Sequence, residues 1–366
     1  MKCFIRASAR LVFLALLACL FAVQQTGEAH ANGGALSWPP AGQGPLRFDE
    51  DSGIALTREK IVYEIDRERH DIAHVGVEYV LRNGKGQQKD IELLFITPSS
   101  PEKEFHVREG ERVLEKKAIS NVQLDNWMRS EAALEVVEPL SGKVLRYRER
   151  SPGTWSGERP VMGYSFRLSF AAGEEKTVTM GYPDYAGFHR IGVVQPLHSY
   201  LYYMTPAAFW EGETAVELEL RVPDRKFRVH SSIPLTKLNG VTYGAKLGAL
   251  PQAEWRLSVV DASGLIYGTN SPLRHNLISL LIVLIAAAGL FYAALRLRQS
   301  LILAAGTPAL IAFTYFYVHS VSSDKIIDFL AVWMIRVVMA GLLAACWLVA
   351  WMKIRRRKAA ETTTHR

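Results

Sequence analysis

The residue types best suited to chemistry are the two histidines of His70-Asp71-Ile72-Ala73-His74, four positions apart. On a helix that spacing turns both imidazoles toward one metal ion. Here Asp71 stands where the zinc-protease pattern has Glu. The residues that follow, Val75-Gly76-Val77-Glu78-Tyr79-Val80-Leu81, alternate as a half-buried strand does. On a strand, residues four apart share a face but are separated by about 13 Å. The motif is therefore read as two solvated histidines on a surface hairpin, and no metal site is assigned. Gly153-Thr154-Trp155-Ser156-Gly157 has its serine in the wrong slot for a nucleophile elbow and no strand-to-helix pattern around it. No phosphate-binding loop or dinucleotide fingerprint is present in the sequence, and no close acidic pair comes with a plausible pocket, so no catalytic residue and no cofactor is assigned.

A second class of candidates is aromatic. Tyr200 and Tyr202 fall on one face of an expected strand, with Tyr203 on the other and Trp210 shortly after. With Tyr182, Tyr185 and Phe188 nearby in sequence, these four form a candidate ligand platform for a glycan or peptide, competing with ordinary core and rim packing. A third class is charged and lies in apolar surroundings. Arg336 sits inside a long apolar run, where an ionisable residue marks either function or a snorkelling side chain. Lys353, Arg355, Arg356, Arg357 and Lys358 follow the last such run, as a topology signal and a contact for anionic lipid.

These candidates depend on the elements that hold them. Three apolar stretches, at 276–297, 301–319 and 329–352, are each about the ~20 residues a helix needs to cross a bilayer. Residues 1–31 have the charged, apolar and Ala29-His30-Ala31 order of a signal peptide. A lipoprotein leader ending at Cys19 competes with it, but the apolar run continues beyond that cysteine. With the N-terminal body outside, both expected inner ends, Arg296/Arg298 and 353–366, are basic, as the positive-inside rule requires. A multi-pass plasma-membrane protein with a cytoplasmic C-terminus is expected.

The formal charge of +7 over 366 residues is concentrated at the chain's two ends, and residues 32–273 are slightly acidic. That excludes a basic stripe for nucleic acid there. The three cysteines, Cys3, Cys19 and Cys346, lie outside this stretch, which must fold without disulfides. Between leader and spans, strand-like runs recur with turn residues between them. The expected fold is mainly β, an antiparallel β-sandwich ectodomain followed by a three-helix transmembrane bundle. Its parts are a mobile Gly/Pro/Ala-rich arm (32–48), a first β-module (49–117), a connecting segment (118–160) with a short helix near Asp125–Val137, and a second β-module (161–265). Hairpins are expected at Asn83-Gly84, around Gly110, and at Ala171–Glu175.

The strand ending Arg82-Asn83, the Ala172-Gly173-Glu174 turn and the run Tyr202-Tyr203-Met204-Thr205-Pro206-Ala207-Ala208-Phe209-Trp210 together resemble uncharacterised exported membrane-anchored proteins of Gram-positive bacteria. The resemblance covers most of 46–265. It implies a signal peptide, a β-sandwich ectodomain and C-terminal spans, and brings no activity with it. The expected role is a non-enzymatic extracytoplasmic binding or scaffold protein of the cell envelope, with membrane lipids and an envelope protein or glycan as partners. The alternatives are a wall- or glycan-acting hydrolase and an accessory subunit of a membrane sensor or transporter.

Overall fold

A computed structural model describes residues 33–37, 46–98, 102–129, 135–145, 161–190 and 192–297, with isolated helical positions beyond. The leader, Gly153–Gly157, Arg336, Lys353, Arg357 and Lys358 lie outside the described residues, as do nearly all of the expected second and third spans. Arg355 and Arg356 are helical and exposed.

The described strands are β1 (Gly33–Ser37), β2 (Arg47–Phe48), β3 (Ile54–Ile65), β4 (Ile72–Asn83), β5 (Lys89–Thr97), β6 (His106–Glu109), β7 (Arg112–Val113), β8 (Lys117–Ile119), β9 (Val136–Val137) and β10 (Val144–Leu145). They continue with β11 (Met162–Phe170), β12 (Glu175–Tyr185), β13 (Gly187–His189), β14 (Leu197–Tyr202), β15 (Ala215–Arg221), β16 (Phe227–Ser231), β17 (Thr236–Lys237), β18 (Thr242–Leu247) and β19 (Trp255–Asp261). An eight-stranded sheet has the order β17-β18-β15-β3-β4-β12-β6-β7. A five-stranded sheet runs β2-β1-β5-β11-β8, a four-stranded one β13-β14-β19-β16, and β9 and β10 form a small ribbon. Pairing is antiparallel except between β15 and β3.

Alternation builds these sheets. In β4, Ala73, Val75, Val77, Tyr79 and Leu81 point inward. Side chains from the three larger sheets meet in one continuous core. Phe105 stacks on Tyr164 with centroids 4.0 Å apart, and Tyr63 meets Trp255 edge-on at 5.3 Å. Leu93 and Phe95 of β5 enter this core. Leu94 and Ile96 face a second cluster with Leu36, Phe48, Val122, Tyr203 and Phe209. Burial of β5 on both faces explains its unbroken apolar run.

Several expectations are corrected. The hairpin around Gly110 forms, with β6 paired to β7 and Gly110 at positive φ. The other two do not. β4 and β5 lie in different sheets, as do β11 and β12, so both connections are crossovers between layers. The expected two modules share their sheets. β11 pairs with β5, β12 with β4 and β15 with β3. The arm is ordered where described. β1 pairs with β5, and Ala35, Leu36 and Phe48 are buried. Its glycines serve close packing. A Cβ on Gly34 would lie 2.5 Å from Phe48 Cδ1. Of the helix expected near 125–137, residues 130–134 lie outside the described residues; around it are a Leu46–Leu124 bridge, Asn126 Nδ2 donating to Phe48 O at 3.0 Å, and β9.

Among the described residues, one helix is long and apolar enough to cross a membrane. It is α1 (Pro272–Leu297), where the sequence suggested three helices. It begins earlier than expected, with Pro272 in its first turn, a position where the missing N–H costs nothing. Gly306, itself helical, lies so close to α1 that a Cβ there would be 2.6 Å from Leu290 Cδ1.

Candidate functional site

The connections at one end of the β-body gather around a hollow of about 430 Å³. Strand pairing fixes which loops meet there. β3 and β4 turn over at residues 66–71, and Tyr185 at the end of β12 pairs with Ile72. His198 near the start of β14 pairs with both Phe188 and Val259. Arg221, the last residue of β15, lies beside Glu64. The chain leaves this same end through Asp261 into α1.

Local hydrogen bonds shape the 66–71 tip. Asp66 Oδ1 accepts from the backbone N–H of Glu68 at 2.8 Å and of Arg69 at 2.7 Å, an Asx-type turn. The Arg69 bond, then the Glu68 bond, holds the Asp66 carboxyl below its ordinary range. Arg69 Nη2 pairs with Asp71 Oδ2 at 3.2 Å. Glu68, Arg69, His70 and Asp71 form one wall of the hollow, and Ala186, Phe188 and His198 the other. Phe188 packs on the His198 ring at 5.6 Å between centroids. Burial lowers the pKa of His198, and Asp71 opposes that shift. The site thus offers both charge signs, a largely neutral imidazole and an exposed aromatic edge. That suits a small polar ligand with an apolar part.

The histidine motif divides here. His70 lines the hollow and meets Phe227 edge-on at 4.8 Å, whereas His74 Nε2 lies 3.4 Å from Asp66 Oδ2. Among the described residues, no group of three or more His, Cys, Asp or Glu is placed to hold a metal.

Tyr200, Tyr202, Tyr203 and Trp210 are all buried, none more than 4 % exposed. They present no open surface and belong to the two cores. Inward alternation of β14 explains Tyr200 and Tyr202. Tyr203 is covered by Trp127, whose Nε1 donates to Thr205 Oγ1 at 2.7 Å. Tyr200 still serves the hollow indirectly, since its hydroxyl donates to the His70 carbonyl at 2.7 Å.

Sequence reading missed the buried carboxylates. Glu59 is fully buried because β3 changes register between Leu56 and Arg58. Before that bulge the even positions Ile54 and Leu56 face inward. After it the odd positions Glu59, Ile61, Tyr63 and Ile65 do. Burial pushes the Glu59 carboxyl up to about 8, partly offset by the Tyr202 hydroxyl. Asp184 accepts from Tyr63 Oη at 3.3 Å. Glu254 accepts from the backbone N–H of Met204 and Thr205 and from the Thr205 hydroxyl, and burial raises it to about 7.

The body and α1 are closely joined. Asn270 Oδ1 accepts from Val194 N at 3.0 Å and Gln195 N at 2.7 Å, and its Nδ2 donates to Gln195 O at 3.1 Å. Tyr267 packs on His275, and Ser279 Oγ lies 3.3 Å from its hydroxyl.

No protein-family model matches the chain, and no curated protein does. Among solved structures, a proposed nutrient binding protein from Legionella pneumophila is similar at 13% identity, over 64% of this chain and 72% of that one, with a TM-score of 0.40. Yeast LTA4 hydrolase in complex with bestatin is similar at 9% identity over 60% of this chain and 31% of its own, with a TM-score of 0.31. An M1 zinc metallopeptidase from Deinococcus radiodurans is similar at 10% identity, over 57% of this chain and 42% of that one, at 0.26. At such scores, none of these likenesses establishes a shared fold or activity.

Proposed function

We propose that this chain is a membrane-anchored, extracytoplasmic binding protein of the bacterial cell envelope, and that its ligand enters the hollow between the 66–71 tip and Phe188. The observation that carries the reading is the joining of a disulfide-free β-body to an apolar helix at the end where the hollow opens. The two further spans, Arg336 and the basic tail at Lys353, Arg355, Arg356, Arg357 and Lys358 complete a multi-pass anchor with an inner-leaflet lipid contact. The exported, Gram-positive layout follows the same resemblance.

Two measurements test this. Protease added to intact cells expressing the full chain removes the β-body and spares an epitope placed after Arg366; loss of that epitope overturns the orientation. Soluble wall fragments titrated onto the purified full chain bind saturably, and Phe188→Ala together with His198→Ala weakens binding about tenfold or more, as loss of an aromatic contact and a polar partner in one hollow would. Turnover of those fragments would overturn the non-enzymatic reading.

A further inference from the structure

We propose that the helix-bearing end of the β-body docks on the bilayer, its basic rim resting on anionic phospholipid headgroups. This rests on the anchoring reading above and extends it, making the body's own surface a lipid contact.

The first support is the stiffness of the junction. Asn270 is fastened to residues 194 and 195, Ala262 N donates to Lys226 O at 3.2 Å, and Tyr267 packs on the first turn of α1. A body held this way follows the helix instead of swinging on a tether, so its helix-bearing end stays near the membrane surface.

The second support is charge. Arg190, Arg225, Lys226, Arg228 and Arg274 are exposed at this end. Several neighbouring acids are turned to local partners. Asp224 Oδ1 accepts from Lys226 N, Asp261 Oδ1 from Ser263 N, and Asp71 pairs with Arg69. The far end is mixed, with Glu50, Asp51, Glu175 and Glu213 exposed beside Arg47, Arg82 and Lys85, so it lacks the basic excess of the helix-bearing end. The two ends are separated by about 40 Å, the length of a 12-residue strand. An anionic surface therefore attracts the helix-bearing end more strongly than the far one.

The third support is apolar. Ile266 is 55% exposed and Leu273 69%, the latter beside the exposed Arg274. Basic and apolar groups mixed at the start of a span are what an interfacial surface requires.

The test uses the full chain with Cys3, Cys19 and Cys346 replaced by alanine and one new cysteine, Glu68→Cys at the tip or Glu213→Cys at the far end. A fluorophore is attached and the protein placed in nanodiscs carrying a headgroup-linked quencher. The discs are either phosphatidylcholine alone or equal parts phosphatidylcholine and phosphatidylglycerol. Quenching at position 68 rises about twofold or more in the anionic discs and is reversed by high salt, as screened attraction requires. Position 213 stays unquenched in both. Arg190→Glu, Arg225→Glu and Lys226→Glu together abolish the rise without lowering the melting temperature. Equal quenching at 68 in both lipids, or a rise insensitive to salt, overturns the proposal. If the triple variant melts early, the lipid and salt comparisons on the unreversed chain decide alone. Failure of the anchoring reading looks different, because the chain would then not co-elute with the discs.

Discussion

The Tyr202 hydroxyl donates to Glu59 Oε1 at 2.8 Å where neither side chain reaches solvent. A carboxyl in that position is held protonated by burial, so it titrates only near pH 8, far above its ordinary 4.5. The folded-state pKa is raised. Its contribution to stability is therefore complete below pH 4.5 and is lost as pH rises toward 8. Glu254, raised to about 7, acts in the same direction over part of that window. The loss runs at about 1.4 kcal/mol per pH unit for each group within its window. The full chain should melt at a higher temperature at pH 5.5 than at pH 8.5. Glu59→Gln, which stays neutral, should flatten most of that slope. A melting temperature constant across the range would contradict a protonated Glu59.

Asn83 ties the two layer crossovers together. Its Nδ2 donates to Gln87 O at 2.8 Å and Ala171 O at 2.9 Å, while its backbone N donates to Glu174 O at 2.9 Å. Asn83→Ala removes the donor shared by the carbonyls of Gln87 and Ala171, both exposed residues, and should cost about 1–3 kcal/mol, at 0.5–1.5 kcal/mol per hydrogen bond. Chemical denaturation of the full chain in micelles checks this. Asn83→Asp, which keeps the size but cannot donate, should cost at least as much.

Asn83 also shows where sequence reading stops. The alternation in β4 and the turn at Gly110 were legible because both are local patterns. Asn83-Gly84 and Ala171–Glu175 carry the residues of hairpin turns, yet the strands they join enter different sheets. Turn chemistry says that the chain reverses and leaves open which strand it then pairs with. Glu59 was hidden by the register shift after Leu56, since one inserted residue inverts every later inward position. The hollow was half legible. His70 was singled out, but Phe188 and His198 reach it only through the pairing of β13 with β14. The aromatics were recognised as a group that included Phe188, and the burial of Tyr200, Tyr202, Tyr203 and Trp210 follows from sheet packing that no local pattern reports.

Composition misled most at the start of the body, where glycine suggested mobility. Gly34 is instead a contact, with no room for a side chain against Phe48. Gly34→Val should push β1 from the edge of β5 and cost about 1–3 kcal/mol, the range for overpacking a core. Amide exchange would then speed up in β1 and β2 and leave β3 and β4 protected. Unchanged exchange in β1 would show that the arm is as loosely held as its composition suggests.

The junction gives a prediction that separates anchoring from communication. Asn270 is buried and makes three side-chain hydrogen bonds to residues 194 and 195, immediately before β14. Asn270→Ala leaves the N–H groups of Val194 and Gln195 short of an acceptor, though Val194 N keeps the Asn270 carbonyl at 3.1 Å. Amide exchange at Gln195 should rise on the order of tenfold or more, since one lost buried bond lowers the local opening energy by about 1–3 kcal/mol. The core strands β3, β4 and β12 share no hydrogen bond with Asn270 and should exchange as before. His198 lies three residues beyond Gln195, so loosening this segment should also weaken ligand binding in the hollow while the chain stays in the membrane. If binding were unaffected while exchange at Gln195 rose, the hollow would be independent of the anchor, and α1 would hold the body in place without any influence on what it binds.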